Sequence, residues 1–410
     1  MNTLLKSGIL LLTLGTAGAF PSADGQTPPD TKPWSVRMAE SEMRRHPVPR
    51  LLDSPKGLPE WNYTTGLEIH AFMDVYNRYG DPTMWDYVLR YADTMITDEG
   101  DIRRYVLEKY NLDHIKPGTL LFQVYERTGE TKYRKAMDLL RRQLLLQPRT
   151  HDGGFWHKLI YPRQMWLDGL YMGSPFYAMY IARFETGEAR TRDFEDVARQ
   201  FLLMAEHSYD PVTKLYRHVW DETRTQFWAD KTTGLARHSW GRAVGWYLIG
   251  IVDALDYIPE GTKGRREMIE IFRNLYRELP RYADRQTGMW YQVLELPDRA
   301  GNYQEATCSA MITYAMLKGI RMGYLDASLL PQAKKNYENL VKTFIRENPD
   351  GTISLTRCCE VAGVGGVGTN ATRSGTFDYY INEKIRDNDP KGVGPFIWAS
   401  LEYEALQDKK

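Results

Sequence analysis

Two kinds of apolar segment alternate along the chain. In one, as in "AVGWYLIGIVDAL", hydrophobic side chains cover nearly the whole circumference of a helix. In the other, as in "RREMIEIFRNLYREL", they form one stripe opposite Lys, Arg, Asp and Glu. The first pattern suits a buried helix, the second a helix lying against a core. A short Gly-containing turn joins each pair, and the unit recurs. One copy is "TTGLEIHAFMDVYNRYGDPTMWDYVLRYADTMI". Others begin "KPGTLLFQVYERTGETKYRKA", "MGSPFYAMYIARFETGEARTRDF", "AVGWYLIGIVDALDYIPEGTKG" and "TCSAMITYAMLKGIRMGYLDA". A sixth apolar helix, "GVGPFIWASLEYEAL", has no second helix after it, so its partner is expected in "WSVRMAESEMRRH" near the N-terminus. Six helical hairpins predict an all-α fold of two concentric layers, an (α/α)6 ring. An open superhelix of helix pairs is the competing arrangement. Closure is favoured because the longest insertions all follow outer helices and lead into inner ones, which gathers them at one end.

Those insertions hold the polar residues that the core pattern does not explain: Asp113, His157, Asp168, His218, Asp221, Trp240, Arg242 and Trp246, with Tyr63 at the start of the first inner helix. Carboxylates, histidines, one arginine and several aromatic rings fit a pocket for an acidic sugar. Asp168 stands among Trp166, Leu167, Leu170 and Tyr171, where desolvation would raise its pKa and suit it to general acid work. It could equally cap the helix that follows, as could Asp113 in "YNLDHIKPG". His157 and His218 taken singly fit satisfied core histidines. Arg242 is either a buried arginine stacked on Trp240 and Trp246 or a forked clamp for a carboxylate. No HExxH or CxxC spacing is present, so no metal and no cofactor is assigned. "VAGVGGVGT" lacks phosphate-loop spacing and reads as a rim loop.

Composition narrows the partners. Lys plus Arg and Asp plus Glu are both 53, so no overall field draws the protein to nucleic acid or an anionic membrane. The 27 Tyr and 11 Trp suit sugar rings as well as a helical core. Residues 1–19, "MNTLLKSGILLLTLGTAGA", read as a secretory signal too short for a membrane anchor. Residues 20–33 read as a disordered lead-in, leaving 34–410 as a single domain, periplasmic or secreted. Of three cysteines, Cys308 could bridge Cys358 or Cys359, or all could be free thiols.

"NLDHIKPG", "FWHK" followed by "YPRQMWLDGLYMGSPF", "WGRAVGW", "QEATCSAMITYAMLKGI" and "DPKGVGPFIWASLEYE" together resemble the unsaturated rhamnogalacturonyl hydrolases of glycoside hydrolase family 105, relatives of the unsaturated glucuronyl hydrolases. The resemblance runs from about residue 61 to the C-terminus. It implies a six-hairpin barrel, in agreement with the repeat count, and an unsaturated oligosaccharide as substrate. It implies Asp168 as catalytic acid and base and Asp113 as the second essential carboxylate. Tyr63, His157, His218, Trp240, Arg242 and Trp246 are implied as contacts to the unsaturated uronic acid. The competing functions are an inverting glycosidase acting on a saturated sugar and a non-catalytic oligosaccharide binder.

Overall fold

The computed structural model describes residues 32–366 and 371–407. The secretory signal and residues 20–31 of the lead-in lie outside the described residues. Residues Pro33–Lys410 gather into one compact unit. The chain opens with α1 (Trp34–Arg45). Then α2 (Tyr63–Tyr79) pairs with α3 (Pro82–Met95), α4 (Leu121–Thr128) with α5 (Thr131–Leu146), and α6 (Leu167–Phe184) with α7 (Gly187–Ser208). Next, α8 (Gly241–Ala254) pairs with α9 (Arg265–Glu278) and α10 (Ala306–Arg321) with α11 (Leu330–Phe344); the short α12 (Phe377–Ile381) precedes α13 (Pro390–Ala405).

The first helix of each pair belongs to an inner ring. α2 packs on the 3-10 turn Lys116–Leu120 that leads into α4, and that turn packs on α6. From there α6 packs on α8, α8 on α10, α10 on α13, and α13 back on α2. The ring is therefore closed, and the (α/α)6 barrel expected from the repeats is the fold. The α1 segment completes the last hairpin as expected: it packs on α13, and the Ser35 backbone N–H and hydroxyl donate to the Glu404 carboxylate at 3.1 and 2.6 Å.

Burial follows the two sequence patterns. Every residue of α8 except Asp253 is buried, whereas α9 buries only Met268, Phe272, Leu275 and Tyr276, a stripe at helical spacing. Inner helices approach closely where a side chain is missing. A Cβ on Gly66 would stand 2.5 Å from the Pro117 Cα, and one on Gly394 would stand 2.2 Å from a Leu67 methyl. The second inner element departs from expectation. "KPGTL" forms a 3-10 turn, and only Leu121–Thr128 is α-helical, because Pro117 supplies no backbone N–H donor and crowds the preceding turn. Cys308, Cys358 and Cys359 are all free and buried, so the bridge considered from sequence does not form.

The insertions hold short ribbons. β1 (Gln164–Trp166) pairs antiparallel with β4 (Val219–Asp221), placing Trp166 opposite Val219. β2 (Tyr209–Asp210) pairs with β3 (Leu215–Tyr216), β5 (Ile345–Glu347) with β6 (Ile353–Leu355), and β7 (Cys358–Cys359) with β8 (Ile385–Arg386). Single backbone bonds continue the stitching around the N-terminal ends of the inner helices: Leu112 N–H to His157, His157 to Gln164, Leu167 to His218, His218 to His238, and Gly241 to Gln292. The insertions thus share one end of the ring.

Candidate active site

Asp168 is the second residue of α6. Trp166 takes the N-cap position, and no side chain caps this helix end, so Asp168 is not spent on capping. Its Oδ2 lies 3.0 Å from Nε2 of His218. The approach is short but falls outside good hydrogen-bond angles, and both atoms are otherwise unpaired. The Leu167-to-His218 backbone bond and the β1–β4 ribbon bring these two residues together across fifty positions of sequence. The Asp168 side chain is 13% exposed and that of His218 is fully buried, so Asp168 alone of this pair is open to solvent.

Asp113 does not cap either, because the Asn111 side chain accepts its backbone N–H at 3.0 Å. Its carboxylate instead meets Lys158 Nζ at 2.5 Å and His157 Nε2 at 3.5 Å. Burial pushes the Asp113 pKa up, but Lys158 and His157 outweigh it and hold the group below its ordinary value. Lys158 is correspondingly held above the ordinary lysine value despite its burial. Burial lowers His157 to about 4, so near neutral pH it is an uncharged ring. That ring stacks on Trp166 at 5.0 Å, and Trp166 stacks on Tyr161 at 4.8 Å.

The residues of "WGRAVGW" lie at the start of α8. Trp240, Arg242 and Trp246 are only 2%, 1% and 1% exposed. Trp240 lies 4.8 Å from His218, and Trp246 stacks on Tyr171 at 5.0 Å and meets Tyr63 edge-on at 6.1 Å. Arg242 Nη2 pairs with Glu305 at 3.3 Å and also donates to the Cys359 carbonyl. All three start an inner helix that is packed around almost its whole circumference, which gives them a structural role as well as the sugar contact that the resemblance implies. The buried pair with Glu305 is what the structural reading of Arg242 requires. Tyr63 is half-buried at the start of α2, with Asp113 and Asp168 close enough that their charges act on its hydroxyl.

Asp221, pooled with the site from sequence, serves its own loop. Its carboxylate accepts the backbone N–H groups of Thr223, Thr225 and Gln226 at 3.1, 2.9 and 3.0 Å. Two residues not foreseen join the site. Lys158 neutralises Asp113, and Tyr380, from the stretch "TFDYYINEK", places its hydroxyl 2.8 Å from Nδ1 of His218. Lys158 sits beside His157 in "FWHK", which was a usable signal; nothing local marks Tyr380. Among the described residues no group of His, Cys, Asp and Glu is arranged to hold a metal ion. No described helix is long and apolar enough to cross a membrane.

The fold is thus a closed (α/α)6 ring with two differently set carboxylates and stacked aromatics gathered at one end. The chain matches Glycosyl Hydrolase Family 88 over residues 34–407 and belongs to that family. It is 42% identical to a family 105 glycoside hydrolase of solved structure from C. acetobutylicum, which covers 92% of this chain and all of that one with a TM-score of 0.86. It is 26% identical over 277 residues to the unsaturated rhamnogalacturonyl hydrolase YesR of Bacillus subtilis, covering 66% of this chain and 74% of the relative. The unsaturated glucuronyl hydrolase of Bacillus sp. GL1, at 15% identity, shares the fold, with a TM-score of 0.62 over 90% of this chain and 94% of that one. The chain is an unsaturated glycuronyl hydrolase of the family 105 type.

Proposed function

We propose that the protein releases the terminal 4,5-unsaturated uronic acid from lyase-generated oligosaccharides of the pectic rhamnogalacturonan class, by hydrating the C4=C5 double bond. The observation that carries this reading is the setting of Asp168. It is a partly exposed carboxyl at the mouth, free of helix capping, with a histidine behind one oxygen and the other oxygen toward the cleft. Protonated Asp168 delivers its proton to C4, and positive charge develops at C5, shared with the ring oxygen. A water adds at C5 and gives its proton to the Asp168 carboxylate, which restores the acid. The resulting hemiketal opens to a C5 ketone, the ring oxygen becomes a hydroxyl on C1, and the neighbouring sugar leaves as that carbon becomes an aldehyde. One water is consumed and the enzyme returns to its starting state.

Asp113 is held ionised by Lys158 and suits the sugar hydroxyls or the attacking water, acting by position rather than by exchanging the proton. The similarity to YesR supports the rhamnogalacturonan class, and the leader read at residues 1–19 suits a periplasmic or secreted enzyme meeting lyase products there. The test is incubation with lyase-made oligosaccharides from rhamnogalacturonan, homogalacturonan and glycosaminoglycans, following ultraviolet ene absorbance and released sugar. Fastest turnover on the rhamnogalacturonan product supports the proposal. Preference for another polymer's product overturns the substrate class, and intact absorbance on all three overturns the activity.

A further inference from the structure

His218 contacts the Asp168 carboxyl through one ring nitrogen and Tyr380 through the other. Nε2 lies 3.0 Å from Asp168 Oδ2, and Nδ1 lies 2.8 Å from the Tyr380 hydroxyl. Neither ring can turn away. Trp240 stacks 6.1 Å from the Tyr380 ring and lies 4.8 Å from His218, while Trp166 meets the far edge of His218 at 5.2 Å. One amide fixes both partners: Gln292 Oε1 accepts from Trp240 Nε1 at 3.0 Å, and its Nε2 donates to the Tyr380 carbonyl at 3.0 Å. Tyr380 and His218 are fully buried. Burial also holds the phenol well above its ordinary pKa, so it keeps its O–H.

A neutral imidazole has two tautomers, and the hydrogen bond at one nitrogen decides which nitrogen carries the proton. If Tyr380 donates to Nδ1, the proton sits on Nε2 and faces Oδ2 of Asp168. Oδ2 then acts as an acceptor, and the exchangeable proton of the carboxylic acid is confined to the other oxygen, toward the sugar. If instead Nδ1 carried the proton, the Nε2 lone pair would draw the acid proton onto Oδ2, away from C4. A backbone carbonyl in the place of Tyr380 would enforce that unproductive state, whereas a hydroxyl can donate. The bent contact between Nε2 and Oδ2 is of the kind that tightens when substrate closes the site.

We infer that Tyr380 is a positioning residue that selects the Nε2–H tautomer of His218 and thereby keeps the Asp168 proton on the oxygen that faces the substrate. This rests on Asp168 being the proton donor of the proposed reaction. Tyr380 touches no substrate and exchanges no proton.

The test begins with wild-type turnover on the unsaturated disaccharide; absent turnover means the functional reading has failed, whatever Tyr380 does. With turnover in hand, Tyr380→Phe is compared with wild type, and the pair is repeated in a His218→Gln background, where the amide N–H replaces Nε2–H and has no tautomer to choose. The expectation is a loss of about tenfold in kcat with KM within about twofold for Tyr380→Phe, the scale of one lost buried hydrogen bond. In the His218→Gln background the same change should alter kcat less than about twofold. Spectra of 15N-histidine-labelled protein should show the His218 Nε2–H tautomer in wild type and a mixed or reversed pattern in Tyr380→Phe. Unchanged kcat in Tyr380→Phe overturns the proposal. So does an equal loss in both backgrounds, which would mark a packing effect, or an Nδ1–H tautomer in wild type.

Discussion

Replacing Arg242 with Met should destabilise the fold more than it weakens sugar binding. Arg242 is 1% exposed and Glu305 is fully buried, and the two meet at 3.3 Å. The Glu305 carboxylate also accepts the Cys308 and Cys359 backbone N–H groups at 2.7 and 2.8 Å, so it cannot rotate to solvent when its partner goes. Removing one member of a buried pair leaves an uncompensated charge, a cost of about 3–5 kcal/mol. For a unit of about 380 residues, an unfolding entropy of about 2.1 cal/mol/K per residue converts this to a fall in Tm of about 4–6 °C. The assay is a thermal melt with and without the further change Glu305→Gln, which removes the orphaned charge and keeps an acceptor oxygen. Arg242→Met should melt earliest, and the double variant should recover part of the loss. An unchanged Tm with a much higher KM would refute this reasoning and restore the uronate clamp. A double variant less stable than Arg242→Met would show that charge burial is not the cause.

Asp168→Asn should retain the fold and bind the disaccharide while kcat falls at least about a hundredfold, the scale of lost general acid catalysis, as measured by ene absorbance; retention of a tenth of the activity would contradict the assignment. Lys158→Met removes the cation that holds Asp113 below its ordinary pKa, so burial acts with less opposition and the Asp113 pKa rises; the acid limb of the kcat/KM profile should move to higher pH, and an unmoved limb would separate Asp113 from the rate. His157 is lowered from an ordinary 6.5 to about 4, so the unfolded chain binds its proton more readily than the folded one. Stability should therefore fall as pH drops from about 6.5 toward 4, by roughly 3 kcal/mol from this group. Melts of wild type and His157→Asn across that window check the sign, and a variant with the same acid sensitivity would refute it.

The ring was legible because burial leaves its mark on periodicity. The inner helices are apolar around their circumference and the outer ones on one side, and only a closed double layer satisfies both. Asp168 was legible as a carboxylate set among Trp166, Leu167, Leu170 and Tyr171, and Asp113 as a carboxylate in one of the insertions that gather at one end of the ring. What the sequence did not reveal depends on contacts made over long separations. Tyr380 is one tyrosine among 27, and its meaning comes from a histidine 162 positions away. The partner of Arg242 is Glu305, 63 positions on, and no local pattern tells a buried structural arginine from a substrate clamp. Asp221 did carry a local signal. Thr223 and Thr225 follow it in "DETRTQ", the arrangement in which an aspartate folds back on its own loop, and that signal favours a turn over catalysis.

The most direct test of double-bond hydration is the position of solvent oxygen in the product. The unsaturated disaccharide is turned over in heavy-oxygen water, the product is reduced as it forms, and authentic product held in the same water for the same time corrects for carbonyl exchange. Hydration places the label at C5, because the bond to C1 breaks only after the ring opens. Label confined to C1 would mean direct attack at the anomeric carbon, as in an inverting glycosidase, and would contradict the mechanism built on Asp168.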